Sequence, residues 1–343
     1  MARVAGERER ARLVRRPFVV RTDTGDTISC EVDAIEEKSA AASTAAALAP
    51  RSASAEGGGG LMGLEDDSRA DCVVLCHGQW SSMYDPLMLA ISEGILRFHG
   101  DGAAGAPADA SGRRGRKTEV IRMSFTTSKT EPFSGYFKER EELRCVVQHL
   151  QDTKRRVRCV VGHSKGATVV SLFASKYEKN EGKSLGNEAC LICISGRFDM
   201  RKGVARSIGE DIVDYIESTG KPQLVVISKP RPRDPFWLTK ERLEERASIN
   251  MEQVMMGINN DEADNNWRLC VIHGERDERI PVDDSKGYVR AFDAGNASQS
   301  VASELHIIEE ANHCFTNPVH RKQLVTFVSE FFHKHMSRFS LST

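Results

Sequence analysis

Apolar residues fall along this chain in two alternating rhythms. Short apolar runs have the length and β-branched content of strands buried on both faces: Cys72-Val73-Val74-Leu75-Cys76, Val157 to Val161, Ala189 to Ser195 and Leu269 to Ile272. Glu119 to Phe125 and Glu304 to Ile308 read as further strands. Between these runs the apolar positions recur at helical spacing, over Asp85 to Phe98, Gly135 to Leu150, Ala167 to Ala174, Ser285 to Phe292 and His320 to His335. At the start, Phe18-Val19-Val20 and Thr27 to Val32 flank Asp23-Thr24-Gly25-Asp26, the pattern of a hairpin around a glycine turn. Strands alternating with helices predict an α/β domain with a mostly parallel central sheet and helices on both faces.

Three stretches break the rhythm. Residues 36–70 and 100–117 are rich in Ala, Ser and Gly and cannot bury enough apolar area to order themselves, so they read as flexible insertions. Residues 203–266 carry helical patches at Gly209–Glu217 and Lys240–Met256 around the proline-rich run Lys229 to Trp237, which predicts a small cap inserted between two core strands. The domain is expected over 17–335. Residues 1–16 read as a solvated basic tail, because they hold Glu7 and Glu9 and lack an apolar segment, and 336–343 form a C-terminal tail.

Composition narrows the function classes. A formal net charge of −1 gives no electrostatic case for nucleic acid. No apolar run approaches the roughly 18 residues of a membrane span. The nine cysteines are an odd number and sit mostly inside strand-like runs, which fits reduced thiols in a cytoplasmic protein. Cys190 and Cys193 have metal-pair spacing, but residues three apart in a strand face opposite sides, so no metal is expected.

The candidate chemistry centres on Gly162-His163-Ser164-Lys165-Gly166, a G-x-S-x-G placed where a strand turns into a helix. A turn this tight strains Ser164 and demands glycine two residues to either side. A serine hydroxyl needs a base oriented by a carboxylate, in the chain order Ser, acid, His. His313 follows the last strand in the expected loop. Asp277 follows the strand Leu269–Ile272, with Glu275, Glu278 and Asp199 as rival acids. His163 points away from the hydroxyl and reads as structural. The oxyanion donors would be the backbone N–H of Lys165 and that of Gln79, with Trp80 as the alternative for the second.

Together His77-Gly78, the elbow, Gly274-x-x-Asp277-x-x-Ile280-Pro281 and Ala311-Asn312-His313 resemble the α/β-hydrolase superfamily. They look like the branch of serine aminopeptidase (S33), monoacylglycerol lipase and feruloyl esterase relatives. The Gly-His-Ser-Lys-Gly elbow, Ser195 to Asp199 and the Ala-Asn-His-Cys ending are similar to a group of uncharacterised plant and fungal hydrolases. The resemblance implies a Ser164/Asp277/His313 triad, a chemistry that needs no cofactor. The cap lacks the long apolar runs of an interfacial lipase, so small or medium soluble esters are the expected substrates. Aminopeptidase and thioesterase activities use the same triad; an aminopeptidase would present acids such as Glu210, Asp211 and Asp214 to a free amine. A non-catalytic receptor or scaffold of this fold is the reading from another class. Relatives carry a glycine-containing turn after the strand ending at Phe125, where this chain has Thr126-Thr127-Ser128-Lys129, so the resemblance does not carry substrate preference. The Lys165 side chain is expected to be solvated, with holding a negatively charged end of the substrate as the alternative.

Overall fold

The computed structural model describes residues 12–36, 70–103, 117–128, 130–176, 188–227, 233–258, 266–296 and 303–336. Most of the two Ala/Ser/Gly-rich insertions, the first eleven residues and the C-terminal tail lie outside these. Among the described residues eight strands form one sheet: β1 (Arg12–Arg21), β2 (Thr27–Glu36), β3 (Asp71–Cys76), β4 (Thr118–Ser124), β5 (Arg156–His163), β6 (Glu188–Ile194), β9 (Asn266–Gly274) and β10 (Glu304–Ile308). Their order is β1-β2-β4-β3-β5-β6-β9-β10. The hairpin β1–β2 joins β4 antiparallel, and every later pairing is parallel.

The sheet separates two apolar layers. On one side α2 (Tyr136–Asp152), α3 (Lys165–Lys176) and α8 (Asp283–Gly295) pack on alternate strand residues such as Val74, Val160, Leu191 and Val271. On the other, α1 (Pro86–Ala103) and α9 (Pro318–Met336) cover Val73, Val161, Ile192 and Ile272. The period of two along each strand makes that division. It also puts Cys190 in one layer and Cys193 in the other, so the two thiols cannot share an ion. No helix among the described residues is long and apolar enough to cross a membrane.

Between β6 and β9 the chain leaves the sheet. It forms α4 (Val204–Ile208), α5 (Glu210–Thr219), a hairpin of β7 (Gln223–Val225) and β8 (Phe236–Leu238), then α6 (Lys240–Ser248) and α7 (Met251–Met256). Val204, Ile216, Val225, Phe236, Leu238 and Leu243 build a small core of their own with Phe133. The α7 helix differs: Met251 and Met255 are buried in the main core. The expected cap of 203–266 therefore returns to the body of the molecule at α7, because its methionines have more apolar surface to meet there.

Two local expectations change. The basic stretch read as a tail up to residue 16 enters β1 at Arg12, because its arginines face acids across the hairpin, Arg12 opposite Glu36 and Arg15 opposite Asp33. And α2, whose amphipathic pattern sets Glu and Arg on one face and so reads as a helix with its acids in water, buries Glu139 and Glu142. A buried Arg122 fixes the hairpin to the sheet, donating to Asp33 at 2.8 Å, to the Met83 carbonyl at 2.6 Å and to Glu31.

Candidate active site

The site is assembled at the C-terminal ends of β3, β5, β9 and β10, the edge where parallel sheets of this kind present their loops. Ser164 stands between β5 and α3 at φ 56°, in the left-handed region. The turn leaves no room for side chains around it. A Cβ on Gly162 would lie 2.2 Å from the Gly166 carbonyl oxygen, and one on Gly166 would lie 2.4 Å from that of Cys76. The two glycines are thus required by backbone packing, and the strain they permit aims the serine out of the sheet edge.

His313, in the loop after β10, is 2% exposed, and its Nε2 lies 3.0 Å from Ser164 Oγ. Its Nδ1 lies 2.7 Å from Asp277 Oδ2. The chain hydroxyl–imidazole–carboxylate is therefore continuous, with the serine O–H donating to Nε2 and Nδ1–H donating to the acid. Of the rival acids, Glu275 accepts the Glu310 N–H, Glu278 accepts the His313 N–H at 3.2 Å, and Asp199 pairs with Lys202. None of these carboxylates is placed on the imidazole.

Asp277 is held by more than His313. Its Oδ1 accepts the N–H groups of Arg279 at 2.8 Å and Ile280 at 2.9 Å. His273 Nε2 lies 3.2 Å from Oδ2 and 3.1 Å from the Ile280 carbonyl. A carbonyl only accepts, so this nitrogen carries the proton and shares it between the two oxygens. Burial pushes the Asp277 carboxyl up, but the hydrogen bonds it accepts from His273, His313 and the Ile280 N–H outweigh it. The acid sits far below the usual carboxylate range.

Two further histidines shape the loops. His163 Nε2 donates to the His313 carbonyl at 3.0 Å, fixing the loop that carries the imidazole. His77 Nδ1 donates to the Gly78 carbonyl at 2.8 Å, and its Nε2 accepts the Phe125 N–H at 3.1 Å. Burial lowers both to about 4. Both are neutral donors of fixed tautomer. His163 is thus structural as expected, but its partner, like the role of His273, emerges only once the β5 and β9 ends lie side by side.

Of the two residues considered as second oxyanion donor, Trp80 commits its N–H to the Ser128 carbonyl at 3.2 Å. The N–H of Gln79 makes no hydrogen bond to another described residue. Lys165 starts α3 directly after the serine. Its side chain is not solvated: it is buried, with Nζ 2.7 Å from Glu139 Oε1, 3.1 Å from the Glu131 carbonyl and 5.0 Å from the Tyr136 ring centroid. Thr127 Oγ donates to the same Glu139 oxygen at 2.5 Å. Thr126 N–H donates to Glu142 at 3.0 Å. The loop after Phe125 is thereby tied to the buried acids of α2, and through Ser128 to the Gln79–Trp80 turn.

In front of Ser164 lies a cavity of about 630 Å3, bounded by Gln79, Tyr136 and His313 on one side and by Gly203, Ile227 and Arg246 of the β6–β9 excursion on the other. Its size suits a small or medium organic molecule.

Comparison with known proteins agrees with this architecture. The model of the prolyl oligopeptidase family matches residues 232–338, which hold Asp277 and His313. No curated protein sequence matches the chain. Among solved structures, Est1E from Butyrivibrio proteoclasticus is similar at TM-score 0.59 and 14% identity, over 94% of this chain and 99% of that one. The esterase domain of a Rhodothermus marinus protein is similar at TM-score 0.54 and 12% identity, over 94% and 98%. An esterase of Pyrococcus furiosus gives 0.52 and 18%, over 94% and 91%. Identities of this order speak for the fold: the chain is built on the α/β-hydrolase fold.

Proposed function

We propose that the chain is a serine hydrolase that cleaves carboxylic esters of small or medium acyl groups through an acyl-Ser164 intermediate. The observation that carries this reading is the unbroken hydrogen-bond chain from Ser164 Oγ through His313 to Asp277. In the reaction, Ser164 Oγ attacks the ester carbonyl carbon while His313 Nε2 takes its proton. The oxyanion is received by the N–H groups of Gln79 and Lys165. The carbon–oxygen bond to the leaving alcohol then breaks, and His313 returns the proton to that oxygen. Water, deprotonated by His313, repeats the attack, and the acid leaves as Ser164 regains its proton. Asp277 keeps Nδ1 protonated and steadies the imidazolium that forms. No step calls for a cofactor. Esterases among the structures of similar fold support the reading, one of them described with ferulic acid bound. Cysteines that are mostly buried and form no disulfide among the described residues fit a reducing compartment such as the cytoplasm.

Peptide cleavage is a second reading, favoured by the prolyl oligopeptidase match over the segment that supplies the acid and the base. Holding a free amine would need carboxylates in the cavity. Glu210, Asp211 and Asp214 do not line it, and Glu278 is the single acid that does among the described residues. Ester cleavage is therefore preferred.

Labelling with a fluorophosphonate probe tests the proposal. Wild type should label and Ser164→Ala should not. A folded wild-type sample that stays unlabelled refutes an activated Ser164 and leaves a non-catalytic scaffold. Hydrolysis of matched ester, thioester and peptide anilide substrates then ranks the bond cleaved.

A further inference from the structure

The cavity's charge does not fit a neutral ester. Among the described residues six cationic side chains line it, Lys165, Arg197, Arg206, Arg233, Arg246 and Arg279, against one carboxylate, that of Glu278. Lys165 is neutralised by Glu139, and Arg279 lies 3.6 Å from Glu278. Arg197 and Arg246 form no ion pair with a carboxylate among the described residues. Every acceptor they reach is neutral. Arg197 Nη2 donates to the Arg279 carbonyl at 2.6 Å. Arg246 donates through Nη1 to the Tyr136 hydroxyl at 2.5 Å and through Nη2 to the Lys202 carbonyl at 2.8 Å. Arg246 is only 6% exposed, and its Nε is buried with no hydrogen-bond partner among the described residues.

The two guanidiniums reach the cavity from different elements, Arg197 from the loop after β6 and Arg246 from α6. They approach around one turn: Arg246 donates to the Lys202 carbonyl, and a Cβ on the next residue, Gly203, would lie 2.5 Å from Arg197 Nη2. Burial and then the Arg246 charge hold Arg197 below its ordinary value, with Asp284 pulling the other way. A guanidinium cannot shed its proton in a protein, so one buried and one partly buried cation with no carboxylate bonded to either leave an electrostatic deficit that an anion entering the cavity removes. The planar fork of arginine is also the group best matched to carboxylate and phosphate oxygens.

We propose that Arg197 and Arg246 form an anion-binding subsite beside Ser164, which takes a carboxylate or phosphate group carried on the substrate. Arg206, exposed at the cavity's edge, adds long-range attraction for such a molecule. The identification of the anion's bearer as an ester rests on the hydrolase reading above; the subsite itself does not.

Calorimetric binding to Ser164→Ala protein tests it with monoethyl succinate, ethyl phosphate and neutral diethyl succinate. At least one anion should bind saturably and more tightly than the neutral diester, and the tighter of the two names the group. Arg246→Gln and Arg197→Gln should each weaken that anion by about thirtyfold, the low end for removing one partner of a desolvated charge pair. Arg197 is the less buried, so its variant serves if Arg246→Gln does not fold. Arg246→Lys should recover part of the loss. Binding of neither anion, equal binding of the neutral diester, or indifference to both substitutions would overturn the subsite. In turnover, both variants should lower the ratio of kcat/KM for p-nitrophenyl hemisuccinate to that for p-nitrophenyl butyrate; an equal loss on both esters would make the arginines packing residues. Anion binding without fluorophosphonate labelling would keep the subsite and reject the hydrolase.

Discussion

Asp277 shows how much organisation one side chain can need. Its carboxylate accepts from His313 and His273 side chains and from the N–H groups of Arg279 and Ile280. Those donors hold the charge in place and leave Oδ2 facing the imidazole. Replacing Asp277 by Asn keeps the shape but puts an N–H₂ donor or a weaker acceptor opposite Nδ1, which favours the wrong imidazole tautomer. We expect Asp277→Asn to lower kcat on an ester by about 10⁴-fold with KM nearly unchanged, measured by steady-state kinetics on a variant whose circular dichroism matches wild type. His313, Asp277 and Ser164 were legible in the sequence because each sits at a strand end in a fixed chain order. His273 was not: a histidine inside an apolar strand gives no sign of which loop folds back over it.

At the scale of elements, α2 and α3 are joined by a buried ion pair that periodicity could not reveal. Lys165 follows the nucleophile and Glu139 lies on α2, and each reads as solvent-facing when taken alone. Packing of α2 on α3 brings them to 2.7 Å with both side chains almost wholly enclosed. Burial pushes the Glu139 carboxyl up, while Lys165 and Thr127 pull it down. Lys165→Met would strand Glu139 uncompensated, and we expect a loss of roughly 3–5 kcal/mol in urea unfolding. Lys165→Met with Glu139→Gln should recover part of it, since the cost lies in the orphaned charge rather than in the lost attraction. A double variant no more stable than Lys165→Met would contradict that account.

The whole molecule carries its pH sensitivity in histidines on both sides of the serine. His77 and His163 are neutral when folded, lowered by burial to about 4. Unfolded, each regains an ordinary value near 6.5, so below that pH the unfolded chain binds protons that the folded chain refuses. Their neutral packing is thus free of penalty above pH 6.5, and stability falls as the pH drops from there towards 4. A shift of this size corresponds to roughly 3 kcal/mol per histidine at the acid end. Thermal unfolding between pH 7 and 4 should show the decline. His163→Gln, which keeps an N–H donor for the His313 carbonyl but does not titrate, should flatten it. An unchanged slope would mean that other groups dominate.

The sequence alone determined the order of strands and helices, since strand and helix periods are properties of neighbouring residues and need no fold to be read. It also determined the glycine-flanked turn at Ser164, because a backbone that tight admits no other residue there. Tertiary structure decided what depends on distant segments meeting. Arg12 opposite Glu36 drew a supposed tail into β1. Met251 and Met255 returned α7 to the main core. Lys165 was buried on Glu139, and Arg197 and Arg246 were brought to one cavity from residues far apart in the chain. Charge is the common reason for all but the methionines: a charged side chain reads as solvated until the fold removes its water, and only the partners then supplied, or withheld, say what it is for.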